Sequence, residues 1–377
     1  MISLLSWFNF SYYTRTLSNN LEVLLSLAAL YYWPENASAS IVSAIRPILL
    51  VGLAVLSRPS AASHWIVPGI VLLFHTLGFL RKLMLIIVAC IAAGFCVLFG
   101  FLLDSWYYET PTLTWLMFAR LNVFENISAF YGTQPWHFYI AQVIPAIAGP
   151  LFPLLLLSLA VRTGNTEILQ FMSGSIFFNS LLPHKEIRFL APLSPLIVIL
   201  SAQGYLALSA IVKGRWRLLK RLFLFVILLA NVVLGIYLAR VHQSGVIAVM
   251  DHLREQVDRG NVNGVMFAMP CHSTPFYGYL HRNIPMKFIT CEPPLGVPNH
   301  TSYLDQSDRF YRNPAAILTK LDAGTSHLVI FEALLQREGV SVVLEKSGFV
   351  ECWRTFNSHW HMDARRRGDV LVYCRVS

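Results

Sequence analysis

The strongest constraint in the chain is Leu83–Leu103, 21 consecutive residues without a charged side chain. A bilayer core takes about 20 helical residues, so this stretch predicts a membrane-spanning helix. Trp136–Ala160, Phe189–Val212 and Leu222–Ala239 are equally free of charge. Four weaker runs accompany them: His64–Leu80, Ile168–Pro183, Ile41–Ser57 (interrupted by Arg46) and Leu17–Trp33 (with Glu22 near one end). The pattern predicts about eight spans, preceded by an apolar stub at Ile2–Tyr13. The stub lacks the basic region and small-residue cleavage site of a secretory signal and reads as the end of a further membrane helix.

Charge is 13% of the chain, about half that of an average soluble domain, and the deficit is local. Residues 1–239 carry 14 Lys+Arg and 7 Asp+Glu, whereas residues 240–377 carry 15 and 13. The second part has ordinary polarity and enough length to bury a core of its own. Its apolar stretches Gly264–Pro270, His327–Phe331 and Asp369–Cys374 read as strands, with helices at Val246–Val257 and Asn313–Leu321, which predicts a small α/β domain. The net charge of +9 implies no nucleic-acid partner, because its excess lies between membrane runs, where basic residues orient a chain. Alternation of the spans collects Lys213, Arg215, Arg217, Lys220 and Arg221 on one side, which is then cytosolic. Loop 104–135, loop 184–188 and the C-terminal domain fall on the opposite, non-cytosolic side.

An oxidising compartment permits disulfides among Cys271, Cys291, Cys352 and Cys374. The local pairings are Cys271 with Cys291 and Cys352 with Cys374, among three connectivities. Cys90 and Cys96 read as small apolar residues inside a span. Sequons stand at Asn9, Asn36, Asn126 and Asn299. The topology leaves Asn9 and Asn36 bare and makes Asn126 and Asn299 the glycosylation candidates.

The chemistry concentrates in His184-Lys185-Glu186-Ile187-Arg188-Phe189, where four ionisable residues crowd five positions between two apolar runs. Charge at a membrane boundary is costly unless solvated or paired, and it marks function by default. Cations with one carboxylate and one imidazole suit a phosphate group. Loop 104–135 is long and aromatic; Thr114–Phe124 reads as an amphipathic surface helix. It runs into Tyr131–Tyr139, where Trp136 and Tyr139 fit an interfacial aromatic belt and His137 stands out between them. Arg15 is a lone cation on the side of the 184–188 cluster. His359 and His361 lack a third ligand in register, and no metal site is read. No phosphate-loop, nucleotide or nucleophile-elbow motif occurs.

His184–Phe189 (HKEIRF) resembles the signature of the dolichyl-phosphate-mannose-dependent mannosyltransferases of glycosyltransferase family 22. Thr14–Glu22 (TRTLSNNLE) and Phe130–Tyr139 (FYGTQPWHFY) are similar to its membrane-core motifs. Val241–Met250, Met269–Pro294 and Ser302–Pro314 resemble the branch of the family that adds the third mannose to the GPI core. The resemblance implies a polytopic α-helical membrane protein with a GT-C type core and a C-terminal luminal α/β domain, in the endoplasmic reticulum membrane. It implies dolichyl-phosphate-mannose as donor and a mannosylated GPI precursor as acceptor, with no cofactor. The sugar would be transferred with inversion, giving an α-mannoside.

By that resemblance Arg15, His184, Lys185 and Arg188 are candidates for the donor phosphate. Glu186 orients its cationic neighbours, and Trp136, His137 and Tyr139 line the sugar or acceptor cleft. The family's acidic base lies in a first luminal loop that no segment of this sequence matches, so no catalytic residue is carried over. A truncated, inactive form or a non-catalytic subunit is the alternative, as is another family 22 transferase. A transporter or scramblase would place charge in mid-span, where only Arg46 is a candidate.

Overall fold

The computed structural model describes residues 2–34, 41–163, 166–296, 303–322 and 324–376. Asn36 and Asn299 lie outside the described residues. The chain divides into two compact units, Met1–Gly235 and Ile236–Ser377.

The first unit is helical. Four helices are long and apolar enough to cross a membrane: Phe79–Tyr108, Tyr139–Ala160, Ile187–Ile211 and Arg217–Arg240. The other four apolar runs also form helices, but shorter ones of 14 to 17 residues: Ser18–Tyr31, Ile41–Ser57, Ala62–His75 and Thr166–Leu181. The short helices pack in pairs, Ser18–Tyr31 on Ile41–Ser57 and Ala62–His75 on Thr166–Leu181. Their buried faces, with Trp65, Tyr139, Phe171, Leu190 and Ile197, make one continuous core. Phe152–Ala160 packs on Ser194–Ile211, and Gly204 sets that approach, since a Cβ there would meet the Leu154 carbonyl oxygen. Small residues at such crossings let helix backbones come close.

Two boundaries differ from the sequence expectation. The run ending at Leu80 instead stops at His75. Gly78 takes φ 85°, a left-handed conformation open to glycine, and the long helix begins at Phe79 with Arg81 and Lys82 in its first turn. The expected loop from residue 104 is helical through Tyr108; after a break, Thr114–Ala119 is α-helical and runs into a wider π turn at Arg120–Phe124. Asp104 joins the two pieces, its Oδ2 accepting from Thr114 N at 3.1 Å and Thr114 Oγ1 at 2.7 Å.

The second unit is α/β. Its sheet runs β2 (Met286–Phe288), β1 (Val265–Phe267), β3 (His327–Phe331), β5 (Val370–Arg375), β4 (Phe349–Thr355). Strands β2, β1 and β3 are parallel, whereas β5 is antiparallel to both its neighbours. The Gly245–Asp258 helix lays Val249, Met250 and Leu253 on one sheet face; Phe310, Leu318, Val340 and Leu344 cover the other. The edge strands β2 and β4 escape sequence reading because most of their side chains are exposed. Cys271 is bridged to Cys291, and Cys352 to Cys374 across β4 and β5, with Cα separations of 5.9 and 5.7 Å. Cys271, His272 and Cys291 lie close together, but the bridge leaves neither thiolate for a metal. His359 is hydrogen-bonded to the Tyr237 hydroxyl at 2.7 Å.

Candidate functional site

Pro183 follows the last turn of the Thr166–Leu181 helix and cannot continue it. The chain then runs extended through Glu186 (φ −130°, ψ 153°) into a tight 3-10 segment, Ile187–Leu193. This holds residues 183–185 beside residues 132–134. Gln134 N donates to Pro183 O (3.1 Å), Lys185 Nζ donates to Gln134 O (2.9 Å) and to Leu182 O, and His184 Nδ1 meets Gly132 O (2.8 Å). Two motifs 51 and 52 residues apart in sequence are thereby pinned into one wall.

His184 has acceptors on both sides. Gly132 O faces Nδ1 and a Glu186 carboxylate oxygen faces Nε2 at 3.0 Å. Neither partner can donate, so the ring satisfies both only as an imidazolium with two N–H groups. The pKa shift agrees: the hydrogen bond to Glu186 is the largest influence and holds the imidazole above its ordinary value, against burial. Glu186 also takes Arg188, with Nη2 at 2.7 Å and Nε at 2.5 Å. Burial pushes the Glu186 carboxyl up, but the His184 and Arg188 hydrogen bonds and charges prevail and hold it at about 2. Burial pushes the Lys185 ammonium down, and its bonds to two carbonyls make it a brace between the segments.

A cavity of 530 Å³ opens against this wall. Its polar lining includes Arg58, Asn179, His184, Glu186 and Arg188, and its apolar side includes Phe118, Val123, Leu182 and Phe189. A smaller cavity of 380 Å³ shares His184, Glu186 and Arg188 with it and adds Lys185 and Gln134. A mixed surface of this kind suits an anionic head joined to an apolar tail.

The other residues singled out in the sequence lie elsewhere. Arg15, just past the end of the Trp7–Tyr12 helix, donates from Nε to Ser11 O at 3.0 Å and lines neither cavity. Trp136 and His137 are exposed and meet edge to face. Tyr139 is fully buried in the core, with its hydroxyl against the Glu186 backbone. Asn126 is exposed, whereas Asn9 is buried and accepts from Ser194. Arg46 stands near the start of its helix, with its guanidinium 4.6 Å from the centre of the Tyr32 ring.

What sequence reading passed over is a buried polar chain behind the cavity. Glu22 has a side chain 1% exposed. Arg58 Nε stands 3.1 Å from one of its oxygens and His64 Nε2 3.3 Å from the other. Asn19 Nδ2 links the first oxygen (3.3 Å) to the Arg188 carbonyl (3.2 Å), so the network reaches the site wall. His64 continues to Ser175 at 2.8 Å, and Asn179 bonds both the Ser175 carbonyl and Ser63. The one available signal was the cost of burying Glu22 in an apolar helix without a cation.

The model of the Alg9-like mannosyltransferase family matches residues 1–281. GPI mannosyltransferase 3 of Yarrowia lipolytica is 33% identical, over 99% of this chain and 74% of its own length. GPI alpha-1,2-mannosyltransferase 3 of Mus musculus is 33% identical, over 100% and 68%. Among solved structures, ArnT from Cupriavidus metallidurans bound to undecaprenyl phosphate aligns with a TM-score of 0.51 at 12% identity, covering 100% of this chain and 78% of that one. Its apo form gives 0.50. This likeness shows the fold, a multi-pass membrane glycosyltransferase core of GT-C type followed by a small α/β domain.

Proposed function

The chain belongs to the Alg9-like mannosyltransferase family, and on that premise we propose that it transfers the third mannose of a GPI-anchor precursor from dolichyl-phosphate-mannose, at the luminal face of the endoplasmic reticulum. The relatives' names supply the GPI acceptor. The observation that carries the donor is the 530 Å³ cavity, with cations on one wall and apolar side chains on another. Phe118, Val123, Leu182 and Phe189 take the isoprenoid beside the phosphate. Arg188 and the His184 imidazolium face the phosphate and stabilise the charge it gains on leaving, where fixed cations matter most. The acceptor oxygen bonds to the anomeric carbon as that carbon's bond to the phosphate oxygen breaks, with inversion. The electron pair leaves on the phosphate, and the hydroxyl proton passes to a base.

One observation favours a second reading. Glu186 is the one carboxylate lining either cavity among the described residues. A carboxyl held at about 2 between two cations is a poor base at neutral pH. A chain that binds donor without transferring sugar fits this arrangement. Expression in cells lacking the third mannosyl transfer separates the readings. Catalysis restores GPI-anchored proteins to the surface and clears the two-mannose intermediate. Donor binding with no restoration, at normal expression, leaves the second reading standing and removes the first.

A further inference from the structure

Two polar groups on the cavity wall have bonding capacity that the protein leaves unused. Asn179 is 1% exposed. Its Nδ2 donates to the Ser175 carbonyl and to Ser63 Oγ, both at 2.8 Å. A carbonyl only accepts, so the amide orientation is fixed by this bond. Its Oδ1 is left without a partner among the described residues. A buried acceptor in that condition costs free energy and calls for an explanation. Asn179 lines the cavity, and a hydroxyl-bearing ligand there supplies the missing donor. Arg58 is the second group. Its Nε faces Glu22 and its Nη1 donates to Ser18 Oγ at 3.1 Å, while Nη2 has no partner among the described residues. The guanidinium is held in place by a buried carboxylate and still lines the cavity with one end unused.

We propose that Arg58 and Asn179 are the recognition pair for a glycosyl phosphate lipid in this cavity. Arg58 Nη2 donates to a phosphate oxygen, and Asn179 Oδ1 accepts from a sugar hydroxyl. A free polyprenyl phosphate satisfies Arg58 alone; the glycosylated lipid satisfies both. Asn179 therefore discriminates the charged donor from its spent product, and Arg58 holds either. The inference rests on the reading of this cavity as the donor site.

The test uses the full chain in nanodiscs, titrated with dolichyl phosphate and with dolichyl-phosphate-mannose, and with phosphatidic acid as a phosphate lipid of the bilayer. The native chain binds the mannosylated lipid most tightly and phosphatidic acid most weakly. Asn179→Leu weakens the mannosylated lipid roughly tenfold and leaves dolichyl phosphate unchanged. Arg58→Lys keeps a cation beside Glu22 but loses the planar fork, and weakens both polyprenyl lipids roughly tenfold. If Asn179→Leu fails to fold, donors deoxygenated at one sugar hydroxyl at a time make the same test on the native chain, and one of them loses the mannose advantage. Native binding with unchanged affinities in both variants, or no deoxygenated donor weakened, overturns the recognition pair and spares the donor-site reading. No binding of either polyprenyl lipid by the native chain overturns the donor-site reading itself. Equal affinity for phosphatidic acid and dolichyl phosphate overturns it as well.

Discussion

Replacing Arg58 by Gln isolates the energetics of the buried chain behind the cavity. In the native fold the Glu22 side chain is 1% exposed and that of Arg58 18% exposed. Arg58→Gln strands a carboxylate in the core, with His64 at 3.3 Å as the remaining cationic candidate among its described neighbours. Removing one partner of a buried pair costs about 3–5 kcal/mol. Glu22→Gln is milder, because the guanidinium keeps Ser18 and opens on the cavity; the loss of the charged contact to Arg58 is about 1.5 kcal/mol. With both replaced, two amides face each other and no charge is stranded, so the double variant falls near Glu22→Gln alone. The coupling energy is then the whole Arg58→Gln loss, about 3–5 kcal/mol, at or above the upper end for residues in contact.

The assay is thermal unfolding of the detergent-solubilised chain, followed by tryptophan fluorescence. For a unit of this size 1 kcal/mol moves the midpoint by about 2–4 °C, so Arg58→Gln drops it roughly 6–12 °C at the low end of the range. Arg120, 66% exposed and paired with Glu125, is the control; its Gln variant costs under about 1 kcal/mol. The reasoning fails if Arg58→Gln shifts the midpoint no more than Arg120→Gln. It fails equally if the double variant loses the sum of the two single losses.

Dolichyl phosphate binding should depend on the His184 charge. Its pKa is raised from 6.5 by Glu186, so the cation is fully present below 6.5 and is lost as pH rises through the raised value. Affinity measured against pH falls on that alkaline side, and His184→Gln flattens the profile. Gly204→Ala forces a Cβ onto the Leu154 carbonyl, and overpacking of this kind costs about 3 kcal/mol; the same unfolding assay reads it, with Gly94→Ala, which meets nothing within 4 Å, as the neutral control. Replacing Cys352 and Cys374 together by Ser opens a loop of sequence separation 22 and costs the second unit about 3 kcal/mol. Hydrogen exchange in β4 and β5 rises in that variant and stays low in the parent.

What could be read before the structure, and what could not, divides along one physical line. A spanning helix must be apolar over its whole length because lipid solvates no backbone or charge. Leu83–Leu103 therefore declares itself without reference to any other segment. His184–Arg188 does the same in reverse, since four ionisable groups side by side at a membrane edge need no partner to attract notice. Arg58, Glu22, His64 and Asn179 have no such local signature. Each stands among small hydroxyl or amide residues at a helix end or within an otherwise apolar run, and Arg58 reads as one cation in a short loop. Their meaning lies in pairings 36, 42 and 111 residues apart, Glu22 with Arg58, Glu22 with His64, and His64 with Ser175. The short helices carrying Glu22, His64 and Asn179 are equally ambiguous, because 14 to 16 residues suit a buried core helix as well as a strained span. The ambiguity has a cause: helices that keep a carboxylate and an imidazole buried turn those faces to the protein core rather than to lipid. The sequence rule that finds such sites is thus the complement of the hydropathy rule. An apolar segment too short to span, interrupted by one charge, predicts a polar partner on another interrupted segment, and Glu22 and His64 meet from two such helices.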